Sequence, residues 1–473
     1  MKSMNLSRRV LAFSCLLLIT GCASREATSD FNTRNGLPIL QGLTNESATQ
    51  FAIVATESMK LKFSYDAIVP DRSSPSTPLP TQLPPPTQLP ATLRTSNGSK
   101  VVIYHVQVED LKLGTPYRLN VRDQYDQLVD QRFFRTLDTS PHPVRLLTAS
   151  CLYDYFLAES RVMWKAALDS KPDLIMLIGD NVYAEISNGR FHSPLDEKSL
   201  WIRYSETFFA LDFYKAKTLV PTIVTWDDHD YGMKDGNKDN PHQSEAKKVM
   251  EAFFAQDATA AYPQYSKGPG VSSKFDAFGY RFLLLDDRSF RTPKQANPNI
   301  LDSGAPAQTH FGQEQEQWIF SNVKESKYPI WLISGDQWFG GYHKFESYEG
   351  THPLSFKTFL KQLNGSHEPI FFLSGDRHLS EVSRIEKELL GFETYEFTSS
   401  SIHSKAHPSL WDTIPNHRHL MGVEMKHNFV TFDLTPMQQN GTVHLHGSSV
   451  GANLVTYYTF DFDVRVPAAS KHK

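Results

Sequence analysis

Short apolar runs that end in aspartate recur five times along the 473-residue chain. They are LIMLIG before Asp180, TIVTW before Asp227, FLLL before Asp286, PIWLISG before Asp336 and PIFFLSG before Asp376. Runs of this length, rich in β-branched and aromatic residues and bounded by glycine and polar residues, predict strands buried on both faces. If several of these strands point the same way, their aspartates meet at the carboxyl edge of one sheet, where open α/β sheets bind their ligands.

Carboxylates gathered at one edge would repel one another, because each nearby negative charge disfavours ionisation of the next. Such a group is stable only when positive charge lies among it, and bound metal ions are the simplest source of that charge. The sequence therefore predicts a metal centre at the carboxyl ends of the strands.

Residues 36–140 lack a helical period and predict an all-β domain. Short alternating segments favour strands at 50–54, 59–65, 101–108, 117–122 and 131–135. A turn at 111–115 that leads into a strand is typical of an immunoglobulin-like or fibronectin-like sandwich. The proline-rich insertion 70–90 predicts an extended, unpacked segment between the strands of this domain.

Residues 141–473 alternate strands with helical patterns, which favours an α/β domain. Helices are predicted at 159–168, 198–208, 243–262 and 313–323. From residue 428 the pattern returns to alternation. Antiparallel strands at 429–434, 442–446 and 454–462 are expected to close the sheets of this domain.

Six short motifs carry candidate chemistry, and all but the first follow predicted strands. They are Thr148-Ala-Ser-Cys151, Gly179-Asp-Asn-Val-Tyr183, Trp226-Asp-Asp-His-Asp230, Leu285-Asp-Asp-Arg288, Ser334-Gly-Asp-Gln337 and Ser374-Gly-Asp-Arg-His378. Carboxylate, phenolate, thiolate and imidazole donors together suit a trivalent or transition ion beside a harder ion such as calcium. Two metals about 3.5 to 4 Å apart can hold both the attacking and the departing oxygen of a phosphoryl transfer.

The order and spacing of these motifs resemble the PhoD-type alkaline phosphatases and phosphodiesterases of the calcineurin-like metallophosphoesterase superfamily. The resemblance extends over the mature chain, since that family also places a β-sandwich before its catalytic domain. It implies an α/β fold, a four-layer α/β/β/α sandwich preceded by an all-β immunoglobulin-like domain. It also implies iron and calcium at the active site.

By the same resemblance, a set of seven residues is expected to bind metal: Cys151, Asp180, Tyr183, Asp228, Asp336, Asp376 and His378. Asp180 would bridge two ions, and His229 would bind phosphate or protonate the leaving group. We add Arg288 as a phosphate clamp, because a guanidinium fork can meet two phosphate oxygens at once. Arg377 is a second candidate for that role.

The chain also departs from the superfamily pattern. The usual opening Asp-x-His motif is replaced by Ser150-Cys151, and Asp230 stands where PhoD-type sequences usually have glutamate. Which of Asp227, Asp228 and Asp230 contacts metal therefore stays open.

Other polar residues of the α/β domain have ordinary structural alternatives. Asp286 and Asp287 could cap helices or form salt bridges instead of joining a site. The serines at 399–401 lack a nucleophile elbow, which argues against a serine hydrolase. Histidines 403, 407, 417 and 419 lie in a stretch rich in serine and proline without strand placement, and are not expected to bind metal.

The N-terminus predicts export. Basic residues precede an apolar stretch at 11–20 that is too short to span a bilayer. Ile19-Thr20-Gly21-Cys22 resembles a bacterial lipoprotein box, which implies a signal peptide at 1–21, a membrane anchor on lipidated Cys22 and a tether at 22–35. A plain secretory signal is the alternative. The segment 7–11 also resembles a twin-arginine export motif.

Composition narrows the function. The formal charge is −4 and no basic block occurs, so nothing favours specific binding of nucleic acid. Cys15 lies in the signal peptide and Cys22 directly after it, so the mature chain can form no internal disulfide once Cys22 is lipidated. The prediction is an exported, metal-dependent hydrolase that attacks a small-molecule or polymeric phosphoester with metal-activated water. The alternative is a surface lipoprotein that binds a partner and carries a vestigial metallophosphatase domain.

Overall fold

The computed structural model describes residues 36–68, 87–96, 98–187, 190–294, 308–343, 346–408, 411 and 414–466. The predicted signal peptide and tether, and positions 70–86 of the proline-rich insertion, lie outside these ranges. Among the residues described, no helix is both long and apolar enough to cross a membrane.

Two four-stranded antiparallel sheets form the N-terminal β-rich region. Their strands are β1 (Ile39–Thr44), β2 (Thr49–Thr56), β3 (Lys62–Ala67), β4 (Thr87–Leu89), β5 (Ala91–Thr95), β6 (Val101–Val108), β7 (Pro116–Arg122) and β8 (Leu128–Arg135). The strand orders are β1-β2-β6-β5 and β4-β3-β7-β8. Phe51 and Val106 from one sheet and Phe63 and Leu119 from the other share one buried core. The two sheets therefore pack against each other, and the immunoglobulin-like or fibronectin-like topology stays a prediction.

The five strands predicted for this region are present, with ends that shift by up to three residues. Strands β1 and β5 were not predicted. The insertion 70–90 was expected to be unpacked throughout, and that expectation is wrong for its last residues. Thr87–Leu89 pair with β3, because these three residues between Pro86 and Pro90 keep the backbone N–H groups that a ladder needs.

Two larger sheets form the rest of the chain. The strands are β9 (Val144–Ala149), β10 (Leu174–Ile178), β11 (Ile186–Ser187), β12 (Arg190–Phe191), β13 (Thr222–Thr225), β14 (Tyr265–Lys267), β15 (Ser273–Ala277), β16 (Tyr280–Leu284), β17 (Ile330–Ile333), β18 (Ile370–Ser374), β19 (Ser380–Ile385), β20 (Thr394–Ser399), β21 (His419–Val423), β22 (Phe429–Leu434), β23 (Thr442–Val450) and β24 (Thr456–Arg465). A six-stranded sheet has the order β13-β10-β9-β22-β23-β24, and an eight-stranded sheet has the order β14-β15-β16-β17-β18-β20-β19-β21.

Helices cover the outer faces of both sheets. They are α1 (Leu157–Asp169), α2 (Glu197–Ala210), α3 (Gln243–Phe253), α4 (Gly312–Glu325), α5 (Tyr348–Thr351), α6 (Pro353–Leu363) and α7 (Lys387–Leu390). The two sheets face each other through rings such as Trp331 and Phe432, whose centroids lie 5.0 Å apart. The result is the four-layer α/β/β/α sandwich that the resemblance implies.

Strand β10 shows why its sequence is apolar throughout. Leu174, Met176 and Ile178 belong to the core cluster that fills the space between the sheets, whereas Ile175 and Leu177 pack with residues of α1, α2 and α3. A strand with a helix layer on one side and a second sheet on the other needs apolar side chains on both faces. The prediction of doubly buried strands is confirmed.

The aspartates at strand ends fall on two facing sheets rather than on one. Asp180 and Asp227 follow β10 and β13, which run parallel in the six-stranded sheet. Asp286, Asp336 and Asp376 follow β16, β17 and β18, which run parallel in the eight-stranded sheet. The expected single edge is therefore a seam where the carboxyl ends of two sheets meet.

Two further expectations are wrong. The Thr148–Cys151 motif does lie at the end of a strand, because Thr148 and Ala149 are the last residues of β9, whose charged Arg145 weakens its apolar pattern. Helix α3 ends at Phe253 and not at 262, because the chain turns away there at Ala255, with φ 41°. Beyond the turn, Asp257 pairs with His105 of the β-rich region.

Candidate metal centre

Two overlapping groups of metal donors lie at the seam between the sheets. Cys151, Asp180 and His378 each offer a ligand atom within 4.8 Å of the others. Asp180, Asp228 and His229 form a second group by the same measure. Because Asp180 belongs to both, the geometry suits a carboxylate that could serve two ions, as the bridging role predicted for it requires.

Direct contacts tie the predicted ligands of the two sheets together. The Cys151 sulfur lies 3.4 Å from an Asp180 carboxylate oxygen. The Tyr183 hydroxyl lies 3.0 Å from His378 Nε2. Cys151 and Asp180 follow strands of the six-stranded sheet and His378 follows a strand of the eight-stranded sheet, so this cluster exists only because the sheets pack face to face.

Burial makes these groups poor anions in the absence of a cation. Burial raises the pKa of Asp180 well above its usual range, and the negative charges of Cys151 and Asp227 add to the effect. Burial also raises the pKa of the Cys151 thiol to about 11. Metal ions would reverse this balance, since a coordinated thiol or carboxyl loses its proton. The donor set therefore fits metal ions.

The backbone adopts an unusual conformation at four candidate ligands. Cys151, Asp180, Asp376 and His378 have φ values of 62°, 52°, 60° and 54°. Residues with side chains avoid this region because Cβ crowds the following carbonyl, at roughly 1–2 kcal/mol per residue. Outliers of this kind concentrate at functional sites, where surrounding structure holds them in place. Here they aim four donor side chains into one space.

Gly179 allows the strand ends to approach each other. Its φ is 111°, and a Cβ at this position would lie 2.7 Å from the Asp227 Cβ. Gly365 also has positive φ, 92°, but a Cβ there would meet nothing within 4 Å. Substitution at Gly365 would therefore introduce backbone strain alone, whereas substitution at Gly179 would introduce both strain and a steric clash.

We expect Gly179→Ala to lower the free energy of unfolding by clearly more than Gly365→Ala. In Gly365→Ala the loss of stability should be roughly 1–2 kcal/mol, because only backbone strain is introduced. In Gly179→Ala the clash with Asp227 adds to that loss. Urea unfolding of both variants measures this. Equal losses would show that the strand ends are not tightly packed at Gly179.

The three aspartates of the Trp226–Asp230 motif make different contacts. Asp230 accepts hydrogen bonds from the backbone N–H groups of Asn181, Val182 and Asp227. Asp227 accepts from the Arg288 guanidinium. Asp228 belongs to a donor group and also accepts from the Asp235 amide, at 2.7 Å. Of the three, Asp228 is thus placed to bind metal, and Asp230 holds the loop after β10.

Asp230→Asn should destabilise the protein by about 1–3 kcal/mol, the usual effect of leaving buried polar groups unpaired. Both carboxylate oxygens of Asp230 accept N–H groups, so either orientation of an amide would turn its NH₂ toward a donor. Chemical denaturation of the metal-free protein provides the measurement. An unchanged unfolding midpoint would contradict this structural role.

His229 is held by a buried carboxylate. Its Nδ1 hydrogen-bonds Glu185 Oε1, and its ring lies 4.0 Å from the Tyr183 ring, centroid to centroid. Burial lowers the pKa of His229, but the charges of Asp228, Asp180 and Glu185 outweigh burial and raise it to about 10. Without metal, His229 is therefore a cation at neutral pH, with Nε2 as the nitrogen that Glu185 does not occupy.

A cavity of about 720 Å³ opens over these groups. The predicted site residues on its wall are Asp180, Asp228, Asp376, His229 and His378. The basic residues on its wall are Lys234, Arg291, Lys294 and Arg377. Candidate metal ligands and basic residues thus share one space of a size usual for small-molecule sites.

Comparison with known proteins gives the family and the fold of this chain. The family described as PhoD-like phosphatase matches residues 146–453, more than half of the chain. This chain belongs to the PhoD-like phosphatase family. A solved structure titled "Structure of PhoD" superimposes with a TM-score of 0.68 at 17% identity, and the match covers 92% of this chain and 91% of that one.

A curated relative of this PhoD-like chain is alkaline phosphatase D of Bacillus subtilis (strain 168). The two are 26% identical over 280 residues, which cover 50% of this chain and 46% of the relative. The chain therefore spans less than half the length of the curated relative that it matches.

The PhoD-like site departs from two of the residue roles predicted above. Arg288 is fully buried, binds Asp227 and Glu346, and does not line the cavity, so the structure does not place it as a phosphate clamp. Asp336 is 1% exposed and accepts a hydrogen bond of 2.6 Å from Arg291, also away from the cavity wall. Both belong to a buried ion-pair network behind the PhoD-like site.

Sequence reasoning missed several residues of this site. Arg291 lines the cavity and lies three positions after Arg288, the residue that was predicted as the phosphate clamp. Glu185 lies five residues after Asp180 and carried no signal beyond its charge. His407 lines the cavity and stacks on His378, with ring centroids 5.0 Å apart, although no strand places it there. A loop brings it back over the site, which local pattern does not reveal.

Proposed function

We propose that this protein is a metal-dependent phosphoester hydrolase, most simply an alkaline phosphatase or phosphodiesterase. The observation that carries the proposal is the sharing of Asp180 by two donor groups, at a cavity whose wall also carries basic residues. Membership of the PhoD-like phosphatase family supports the same reaction class. No second activity is favoured by any feature of the described cavity.

The residues fit two ions of different character. Cys151 and His378 offer a soft and a borderline donor and Tyr183 a phenolate oxygen, a set suited to iron, while Asp228 and Asp376 offer the carboxylate oxygens that calcium prefers. Burial lowers the pKa of His378 to about 3, so its imidazole is neutral and able to bind metal. When bound, the ions would supply Lewis-acid polarisation of the phosphoryl group and an activated water at ordinary pH.

The protein itself would bind and orient the phosphoryl group. Arg291 uses one nitrogen for Asp336 and one for Glu346, and its Nε has no hydrogen-bond partner although it is buried. A guanidinium has five N–H donors, so Arg291 keeps capacity for a substrate oxygen. We assign the phosphate-binding role to Arg291, with Lys234 and Arg377 on the same wall.

His229 would serve the leaving group. Glu185 occupies Nδ1, which fixes the ring and leaves the proton on Nε2 for the departing oxygen. A correctly placed general acid contributes roughly 10²- to 10⁴-fold to the rate. The volume of the cavity, about 720 Å³, exceeds what one phosphoryl group fills and slightly favours diesters over monoesters.

The cellular location is proposed from residues outside the described ranges. Export, and anchoring to a bacterial membrane through lipidated Cys22, are proposed from the charged and apolar pattern of 1–22 alone. An enzyme in that position would meet extracytoplasmic phosphoesters, small or polymeric.

The direct test compares p-nitrophenyl phosphate with bis-p-nitrophenyl phosphate before and after chelation. We expect hydrolysis of at least one ester, loss of activity on chelation, and recovery when iron and calcium are restored together. Full metal occupancy with no turnover of either ester would instead favour a vestigial domain on a surface lipoprotein. Activity that persists after complete metal removal would contradict the proposal.

A further inference from the structure

Ser400 contacts two candidate metal ligands from a third strand end. It directly follows β20 and is 1% exposed. Its Oγ lies 3.1 Å from the Cys151 sulfur and 2.7 Å from the backbone nitrogen of His378. No role predicted from the sequence involves this residue.

The direction of these two hydrogen bonds follows from the chemistry of the groups. A backbone N–H can only donate, so His378 donates to Ser400 Oγ. A hydroxyl carries a single proton and accepts through its lone pairs. The proton of Ser400 is therefore free to be donated, and the Cys151 sulfur is the acceptor that the described structure provides.

Ser150 contacts the same sulfur but cannot act in the same way. Its Oγ lies 3.3 Å from the Cys151 sulfur, and it donates its proton to the carbonyl oxygen of Ser399 at 3.0 Å. A carbonyl oxygen only accepts, so that direction is also fixed. Two buried serine hydroxyls thus touch one sulfur. The proton of Ser150 is directed to the Ser399 carbonyl oxygen, and that of Ser400 is directed to the sulfur.

The position of Ser400 also matters for how the ligands are assembled. Cys151 follows β9 of the six-stranded sheet, whereas His378 and Ser400 follow β18 and β20 of the eight-stranded sheet. Cys151 and His378 both have positive φ. A side chain that bonds to both fixes two unfavourable backbone conformations relative to each other, across the seam between the sheets.

We propose that Ser400 is a positioning residue that donates a hydrogen bond to the Cys151 sulfur and anchors the backbone of His378. The inference rests on the proposed metal centre, because it assigns the sulfur as a ligand. Hydrogen bonds to a ligating sulfur withdraw electron density from it and orient it, and groups in such supporting positions tune both metal affinity and the electronic properties of the site.

Cobalt(II) provides a probe that reports on the sulfur without any turnover. Metal-free full-length protein is titrated with Co²⁺, and the thiolate-to-cobalt charge-transfer band and the dissociation constant are recorded. In Ser400→Ala we expect the band to move to lower energy and the dissociation constant to rise by roughly 10- to 100-fold. Ser150→Ala removes an equally buried hydroxyl from the same sulfur and should change neither.

A second measurement needs no substitution. The cobalt–sulfur stretching frequency of the unmodified protein should shift between H₂O and D₂O, because the donated proton of Ser400 exchanges. This keeps the inference testable if Ser400→Ala does not fold.

The outcomes separate the inference from the proposed function. Equal behaviour of Ser400→Ala and Ser150→Ala, or a frequency that is the same in both solvents, would overturn the role of Ser400 and leave the metal centre intact. A wild-type protein that binds Co²⁺ without a thiolate band would show that Cys151 is not a ligand. That result would overturn the inference and also the assignment of Cys151 to the metal centre.

Discussion

Asp180→Asn is expected to abolish metal binding and phosphoester hydrolysis while making the metal-free protein more stable. Asp180 belongs to both donor groups, so its loss would weaken the binding of an ion by either group. We expect activity to fall by more than the roughly 100-fold that follows loss of a group supporting a metal ligand. Metal content and kcat/KM measured on the same preparations test the first half of this prediction.

The stability change follows from the raised pKa of Asp180, which burial and neighbouring negative charges produce. A carboxyl whose pKa is raised by folding stabilises the fold only while it is protonated. That contribution is complete below the unfolded pKa of about 4 and is lost as pH rises through the folded value. At pH 8 the neutral amide of the variant avoids this loss, so its metal-free thermal midpoint should exceed that of the wild type.

Asp433→Asn provides the matched control. Asp433 pairs with Arg145 at the surface, with 40% of its side chain exposed, and lies outside the cavity. The same chemical change there should leave metal content and activity unaltered. An Asp180→Asn protein that keeps its metal would show that this carboxylate is not a ligand.

His229→Ala is expected to lower kcat by roughly 10²- to 10⁴-fold, the usual contribution of a general acid. The protein should keep its metal, because Asp180 and Asp228 of the second donor group remain. The loss should be largest for an alkyl phosphoester and smallest for a p-nitrophenyl ester, because a good leaving group needs no proton. Steady-state kinetics with both esters and metal analysis of the variant provide the measurement.

His352→Ala is the control for this prediction. His352 also lines the cavity, but burial lowers its pKa to about 4, so it is neutral and has no proton to supply at neutral pH. Replacement of His352 should change kcat by the same factor for the alkyl ester and the p-nitrophenyl ester. A His229→Ala variant that slows both esters equally would contradict the general-acid role.

The pH profile adds a further expectation for His229. Nearby carboxylates, which outweigh burial, raise its pKa to about 10 in the metal-free protein. Activity that needs the protonated ring is retained below that pKa and lost as pH rises through it. Asp180 and Asp228 would hold ions in the active enzyme, and those ions would offset the negative charges. The alkaline limb of the active enzyme should therefore lie below pH 10 and disappear in His229→Ala.

From the sequence, the strands that carry this site could be predicted more accurately than the spatial arrangement of the site. Apolar runs such as 174–178 identify strands buried on both faces because each face packs against a layer, and this requirement is local. The division of these strands between two facing sheets depends on pairing across hundreds of residues, such as that of β9 with β22, which no local pattern contains. The four-layer architecture was predicted from the resemblance to a family, because hydrophobic periodicity alone does not show how sheets pack.

The roles of charged residues were harder to predict than their presence. Arg288 and Arg291 differ by three positions, and both pair with Glu346. Only the fold decides that Arg291 reaches the cavity while Arg288 is enclosed behind it. Glu185 and Ser400 act through contacts with residues distant in the chain or on another sheet, so their spacing along the sequence gave no signal.

The most direct test of the account is the metal content of the full-length protein purified without chelators, measured by mass spectrometry beside the Asp180→Asn variant. The account predicts tightly bound ions in the wild type and their loss in the variant, because the buried carboxylates at the seam need cations among them. A wild-type protein that is free of metal yet folded and active on phosphoesters would contradict it.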